Sequence, residues 1–253
     1  MDRGNVMIPI DQIVKIPFTM KPSFEKYTQT KFHLDKMNKD ILQERRKELD
    51  TLGQNVWFET NTAKETDLVN KTTAALGITK KYNNIVDFGL DVEDDILIMH
   101  EGRLEACFVA FASGWNAGDK QGKTLSELHN PVPDSERLRK ASDNIMRAMT
   151  SNKCYHRYTW GISPLRTLSN HPIHNRPSYD TLDHLWFRVE HERTMAITEG
   201  KTALFLINVT THPLTQIVKT YGALLKESIN SMTENVLKYK NLHLTKELLN
   251  AVV

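Results

Sequence analysis

The sequence predicts an α+β fold: a five-stranded antiparallel sheet with flanking helices and a helical N-terminal extension. Three observations carry that expectation. Apolar residues recur at helical spacing through much of residues 31–90, punctuated by glycine. Two pairs of strand-like segments then meet across Glu101-Gly102 and Glu199-Gly200, dipeptides that suit hairpin turns. Residues 213–240 return to a helical period. Helices set apart from an antiparallel sheet define the α+β class. The expected organisation is one domain over 1–253: a mostly helical part to residue 90, a sheet core over 91–212, and C-terminal helices over 213–253.

Residues 1–30, with Pro9, Pro17 and Pro22 among apolar residues, read as an extended arm lying on the body. Phe32, Leu34, Met37, Ile41, Leu42, Arg45 and Leu49 space a helix over 31–52 that stops at Gly53. The charged run Glu44-Arg45-Arg46-Lys47-Glu48 reads as its solvated face. Thr60-Asn61-Thr62 can cap a helix, with Glu65 at capping-box spacing from Thr62, that runs through Leu68, Val69, Thr72, Ala75 and Leu76 to Gly77. A short third helix is expected from Thr79 to Asp87. Asp91, Glu93, Asp94 and Asp95 lack the spacing of a calcium loop and read as a solvated lead-in to the first strand. The strands are expected at 96–100, 103–111, 154–162, 185–197 and 202–211. A helix spans Asp134 to Met149, with Leu138, Ala141, Ile145, Met146 and Met149 on one face. The tail from Leu244 adds a helical turn or two.

Composition narrows the function. With 40% apolar and 25% charged residues the chain is of globular type, and a net charge of +2 with no basic run makes nucleic acid a poor partner. No apolar run reaches membrane-spanning length, and no signal-peptide core opens the sequence. Two cysteines, Cys107 and Cys154, give no disulfide framework and suit a reduced, cytoplasmic setting. They also cannot supply the four thiolates of a plant-type iron–sulfur cluster. No glycine-rich dinucleotide fingerprint is present. A redox function would therefore draw its electrons from another polypeptide or a diffusible donor.

The chain is organised around Phe111 to Asp134. Pro131 biases Asn130 away from helical geometry and Pro133 repeats the effect, so a helix through residues 124–128 must stop near His129. That sets an imidazole at a stiffened helix end between apolar Leu128 and Val132. A fixed neutral imidazole beside an apolar wall is what an axial haem ligand needs, and equally what a capping or core histidine looks like.

The same stretch resembles the signature of the haem-dependent oxidative N-demethylase family, which reads approximately F-P-S-R-W, D-K-x-G-K-P-L and I-H-x-P-V-P. The matching letters are Phe111, Ser113, Trp115, Asp119, Lys120, Gly122, Lys123, Leu125, His129, Pro131, Val132 and Pro133. The chain departs at Ala112, Gly114 and Thr124, where the pattern has proline, arginine and proline. A second segment resembles L-R-x-E-R-Q-T-L followed by L-F-T-I-R-T-Y, retaining Arg188 and Glu190 but departing at His191, Glu192, Arg193 and Asn208. Ile16 to Met20 resembles the family's start, and the likeness runs to about Leu214. It implies a haem-binding PAS-like fold with His129 as the iron ligand and Trp115, Lys120, Lys123 and Trp160 in contact with the cofactor.

On strand 185–197, period two places Arg188, Glu190, Glu192 and Thr194 on one face. The plain reading of that face is solvation. Under the resemblance it becomes one wall of a polarised cavity, with Arg188 and Glu190 as the expected catalytic pair, holding a small cationic amine and orienting dioxygen. The implied activity is oxidative demethylation of a small alkylamine such as dimethylamine, releasing formaldehyde. Its electrons would come from a separate reductase carrying flavin and an iron–sulfur cluster. A haem-binding sensor or carrier without turnover is the alternative. His171-Pro172-Ile173-His174 is the second choice for the haem ligand, and Cys107 a thiolate candidate otherwise read as a buried thiol.

Overall fold

A computed structural model describes residues 9–20, 24–28, 37–130 and 132–253. Pro22, Phe32, Leu34 and Pro131, invoked above, lie outside the described residues. In chain order the elements are α1 (Ile10–Ile13), β1 (Glu25–Lys26), α2 (Lys39–Leu52), β2 (Trp57–Glu59), α3 (Asn61–Glu65), α4 (Leu68–Ala75), α5 (Ile85–Gly89), β3 (Asp95–His100), β4 (Arg103–Phe108), α6 (Leu125–Leu128), α7 (Glu136–Lys140), α8 (Ser142–Met149), β5 (Tyr155–Ser163), β6 (Trp186–Thr198), β7 (Thr202–Pro213), α9 (Leu214–Asn230), α10 (Glu234–Lys240) and α11 (His243–Val252).

The class is α+β, but among the described residues the sheet has seven strands, not five. All pair antiparallel, in the order β1-β5-β6-β7-β3-β4-β2. The five expected strands lie side by side, and the N-terminal part adds one short strand at each edge. β1 registers Glu25 on His156, and β2 registers Trp57 on Phe108. Runs of two and three residues are too short for alternation to show; only the neighbour makes them strands. The first hairpin turns on Glu101 (φ 48) and Gly102 (φ 80), the paired positive angles that match strand twist. The second closes Thr198 on Thr202 around Gly200, with an irregularity between Ala196 and Thr198.

Several expected helices are broken or displaced. α1 makes one helical turn in the supposed extended arm. Of the expected capping stretch, Thr60 caps α3 by accepting from the Ala63 N–H at 3.1 Å. Asp67 then takes a left-handed conformation (φ 52) and separates α3 from α4. The 134–149 helix divides at Ala141, and 213–240 divides before Thr233, which caps α10.

Some of the charges expected in solvent are buried. In the charged run of α2, Arg46 and Lys47 are exposed as expected, but Arg45 is 0% exposed and Glu48 3%. Arg45 Nη1 donates to Asp95 Oδ1 at 3.0 Å, and its other N–H groups reach the carbonyls of Gly89, Glu93 and Asp94. Asp94 accepts from Arg193 Nη2 at 2.6 Å. Buried charges persist when paired and fully hydrogen-bonded, which sequence patterning does not reveal. Asp95 also accepts the backbone N–H groups of Ala110 and Phe111 at 2.9 and 3.0 Å. It thereby fixes the chain where it leaves the sheet after β4 and heads for the signature stretch. Burial raises Asp95 to about 6, Arg45 opposing the shift.

Candidate functional site

α6 is a single turn, and its ends are what make it useful. Thr124 accepts from the Glu127 N–H while the Glu127 carboxylate accepts from the Thr124 N–H at 2.8 Å, a reciprocal capping box. His129 sits at the opposite end with φ −99 and ψ 3. Its Nδ1 lies 2.8 Å from the Leu125 carbonyl. A carbonyl only accepts, so Nδ1 carries the proton and Nε2 presents a lone pair. Among the described residues nothing bonds Nε2. Burial lowers the His129 pKa, against the pull of the Leu125 carbonyl, so the neutral ring is favoured.

His129 lies at the junction of two cavities. The larger is about 700 Å³ and the smaller about 260 Å³. Both are also lined by Ser113, Gly114, Val132, Arg157 and Glu190. The smaller is mostly apolar, with Leu97, Val109, Leu128, Ile145, Met149 and Phe205 among its walls. Gly114 has φ +65, and a Cβ placed there would meet nothing within 4 Å. The departure from the family's arginine leaves space between the two cavities.

The polar wall is a ladder between β5 and β6. Register pairs Arg157 with Glu192, Thr159 with Glu190, and Gly161 with Arg188, all on one face. Arg157 Nε donates to Glu192. Thr159 Oγ1 donates to Glu190 Oε2 at 3.0 Å, and Arg188 Nε donates to Glu190 Oε1 at 3.2 Å. The other arms of Arg188 donate to the carbonyls of Leu168 and Phe111. This face is therefore not solvated: Arg188 is 3% exposed, Glu192 5% and Thr194 0%. Burial raises the Glu192 pKa while Arg157 opposes it.

The structure brings most of the expected residues together. Trp115 and Lys120 line the smaller cavity, with the Lys120 ammonium 5.8 Å from the Trp115 ring centre. Burial lowers the Lys120 pKa, and Lys123 adds to the effect. Trp160, Arg188 and Glu190 line the larger cavity. Trp160 stacks on Phe187 at 5.5 Å and meets the edge of Phe18 at 5.8 Å. Lys123 lines neither cavity; its carbonyl accepts from the Leu104 N–H at 2.9 Å. His171 and His174 also lie off both, and His174 Nε2 is 2.7 Å from the buried Glu48 carboxylate. Cys107 is fully buried away from both cavities, and burial pushes its thiol up, against thiolate formation.

Sequence reasoning missed Arg157, Tyr239 and Lys240. Arg157 was visible in the 154–162 strand, but its pairing with Glu192 depends on register, which a one-residue slip would reverse. Lys240 arrives from the end of α10 and donates to the Trp160 carbonyl at 2.7 Å.

A haem group fits this donor set. Nε2 of His129 is available as a single axial ligand, an apolar surface lies beside it, and Lys120 and Arg157 offer cations for carboxylates. Among the described residues no three His, Cys, Asp or Glu side chains converge as a metal centre. One histidine suits a metal whose remaining ligands come with its own macrocycle. Among the described residues no helix is long and apolar enough to cross a membrane. A family model described as haem-dependent oxidative N-demethylase, alpha subunit-like, matches residues 48–250. No curated protein matches the sequence.

Proposed function

The chain belongs to the haem-dependent oxidative N-demethylase, alpha subunit-like, family, and on that premise we propose that it holds haem on His129 and removes a methyl group from a small alkylamine such as dimethylamine. The observation that carries this reading is the His129 ring itself, with Nδ1 engaged by the Leu125 carbonyl and Nε2 free at the meeting of an apolar and a polar cavity. The five central strands, bracketed by one short strand on each side, support the PAS-like reading of the sheet.

Haem, when bound, supplies the dioxygen chemistry that inserts one oxygen atom into a methyl C–H bond. The resulting carbinolamine breaks its C–N bond to give the demethylated amine and formaldehyde. The second oxygen atom leaves as water after uptake of two electrons and two protons. Those electrons come from a separate reductase, which the resemblance describes as carrying flavin and an iron–sulfur cluster. The residues of the chain do the rest. Leu97, Val109, Leu128 and Phe205 would keep water from the cofactor. Lys120 would meet its carboxylates, with Arg157 alongside in its pair with Glu192. Glu190 accepts N–H bonds from the amine, and Arg188 and Thr159 position that carboxylate.

Dimethylamine has three heavy atoms, each bringing at most about −1.5 kcal/mol. Its dissociation constant should then be no tighter than roughly half-millimolar, so the test needs millimolar amine. Protein produced with haem supplied is expected to show a stoichiometric Soret band that shifts on reduction and again with amine. His129→Ala is expected to lose that band or change its ligation signature. A variant that kept haem with an unchanged spectrum would remove His129 from the site. A band indifferent to amines, with no amine-dependent oxygen uptake, would point to a sensor or carrier.

A further inference from the structure

The larger cavity holds more positive than negative charge. Six cationic side chains and one carboxylate, Glu190, stand among its described lining residues. Arg188 is engaged by Glu190 and backbone carbonyls, and Arg157 by Glu192 of the adjoining wall. The other four are Lys15, Arg176, Lys238 and Lys240. Among the described residues none of these forms an ion pair. Arg176 folds back onto Asn170, its Nε 3.2 Å from Oδ1 and its Nη2 3.1 Å from the carbonyl. The Lys240 ammonium lies 5.4 Å from the Phe18 ring centre and 5.6 Å from that of Trp160.

Several like charges around one concave space raise each other's free energy and focus a field that draws in anions. Burial brings Lys240 down to about 8, and the attraction of Glu190 works against that shift. A bare alkylammonium entering this space would gain from Glu190 and lose to its cationic surroundings.

We propose that the substrate is a zwitterion, an N-methylated amino acid whose amine meets Glu190 and whose carboxylate meets the unpaired cations led by Lys240 and Arg176. This rests on the N-demethylase reading of the same site and replaces the simple alkylamine named there with an amino-acid substrate. The cofactor's own carboxylates are the other source of the same chemistry, and the test separates the two.

Calorimetry on the haem-loaded protein would compare N,N-dimethylglycine, its primary amide and dimethylamine. The amino acid is expected to bind at least tenfold more tightly than either of the others. Arg176→Gln and Lys238→Gln alter exposed side chains, so folding is not at stake. Together with Lys240→Met they are expected to cut that ratio to threefold or less by weakening the acid, while dimethylamine binding does not weaken. Equal affinities for the acid and its amide would overturn the proposal. A preference untouched by all three substitutions would do the same. If the substitutions lower haem affinity and leave the acid preference intact, the cations serve the cofactor and the proposal falls. Haem content is read separately from the Soret band. Protein that binds N,N-dimethylglycine with the expected cation dependence but takes up no haem would refute the oxygenase reading and keep the zwitterion site. Protein with haem and an amine-induced shift, but no acid preference, would refute only the zwitterion.

Discussion

Burial lowers the His129 pKa, so the neutral imidazole persists to more acid solution than in a solvated histidine. Ligation needs the unprotonated Nε2, so a lowered pKa extends the binding-competent form to more acid solution. Haem affinity, measured by titration, is expected to stay level from pH 8 down to the ordinary histidine value of about 6.5 and to fall only below it. A decline centred at 6.5 would mean that the ring is solvated. The neighbouring carboxylate makes a different prediction. Hydrogen bonds to a charged group contribute about 1.5–3 kcal/mol, or roughly ten- to a hundredfold in binding. Glu190→Gln is therefore expected to weaken amine binding by at least tenfold with the Soret band unaltered. Unchanged amine affinity would take Glu190 out of the substrate site. Arg188 shows why role and residue type must be separated. Its guanidinium nitrogens are each engaged, by Glu190 and by the carbonyls of Leu168 and Phe111.

Among the described residues, one of the two shortest α-helices holds the candidate ligand. α6 has four residues, so it has no interior to compensate for a lost end. Removing a threonine cap costs about 1 kcal/mol, and here the turn that frays is the one supplying the Leu125 carbonyl to His129. Thr124→Ala is expected to speed haem loss about fivefold with little change in global unfolding, and Thr124→Ser to restore it. Equal rates in both variants would show that the cap does not position the ring. This element was legible in the sequence because prolines mark its end. The five central strands were legible too, through alternation and their turn residues. β1 and β2 were not, since their identity comes from β5 and β4. Nor were the helix breaks at Asp67 and Ala141, where non-glycine residues interrupt an apolar period. The Arg157–Glu192 rung stayed hidden because cross-strand register is a tertiary fact.

Across the whole molecule, one buried cation joins the N-terminal helices to the sheet. Arg45 ties α2 to α5 through Gly89 and to β3 through Asp95, which in turn fixes the chain at Phe111. Removing one member of a buried pair costs about 3–5 kcal/mol. Arg45→Met should show a loss of that size in denaturant unfolding, accompanied by weaker haem binding. A loss below about 1 kcal/mol, the range of a surface pair, would mean that the bridge is solvated. The sequence pattern placed Arg45, Asp94 and Asp95 outside, because charge runs are normally wet and only the partner reveals otherwise. The sheet order also fixes a timetable. β3 is bordered by β7, whose residues follow it by more than a hundred positions, and Tyr239 and Lys240 close the cavity from later still. A chain emerging from its N-terminus thus carries His129 out well before β6, β7 and Lys240 can close the cavities around it. Under the proposed function, haem would be taken up by the finished polypeptide and not by the nascent one.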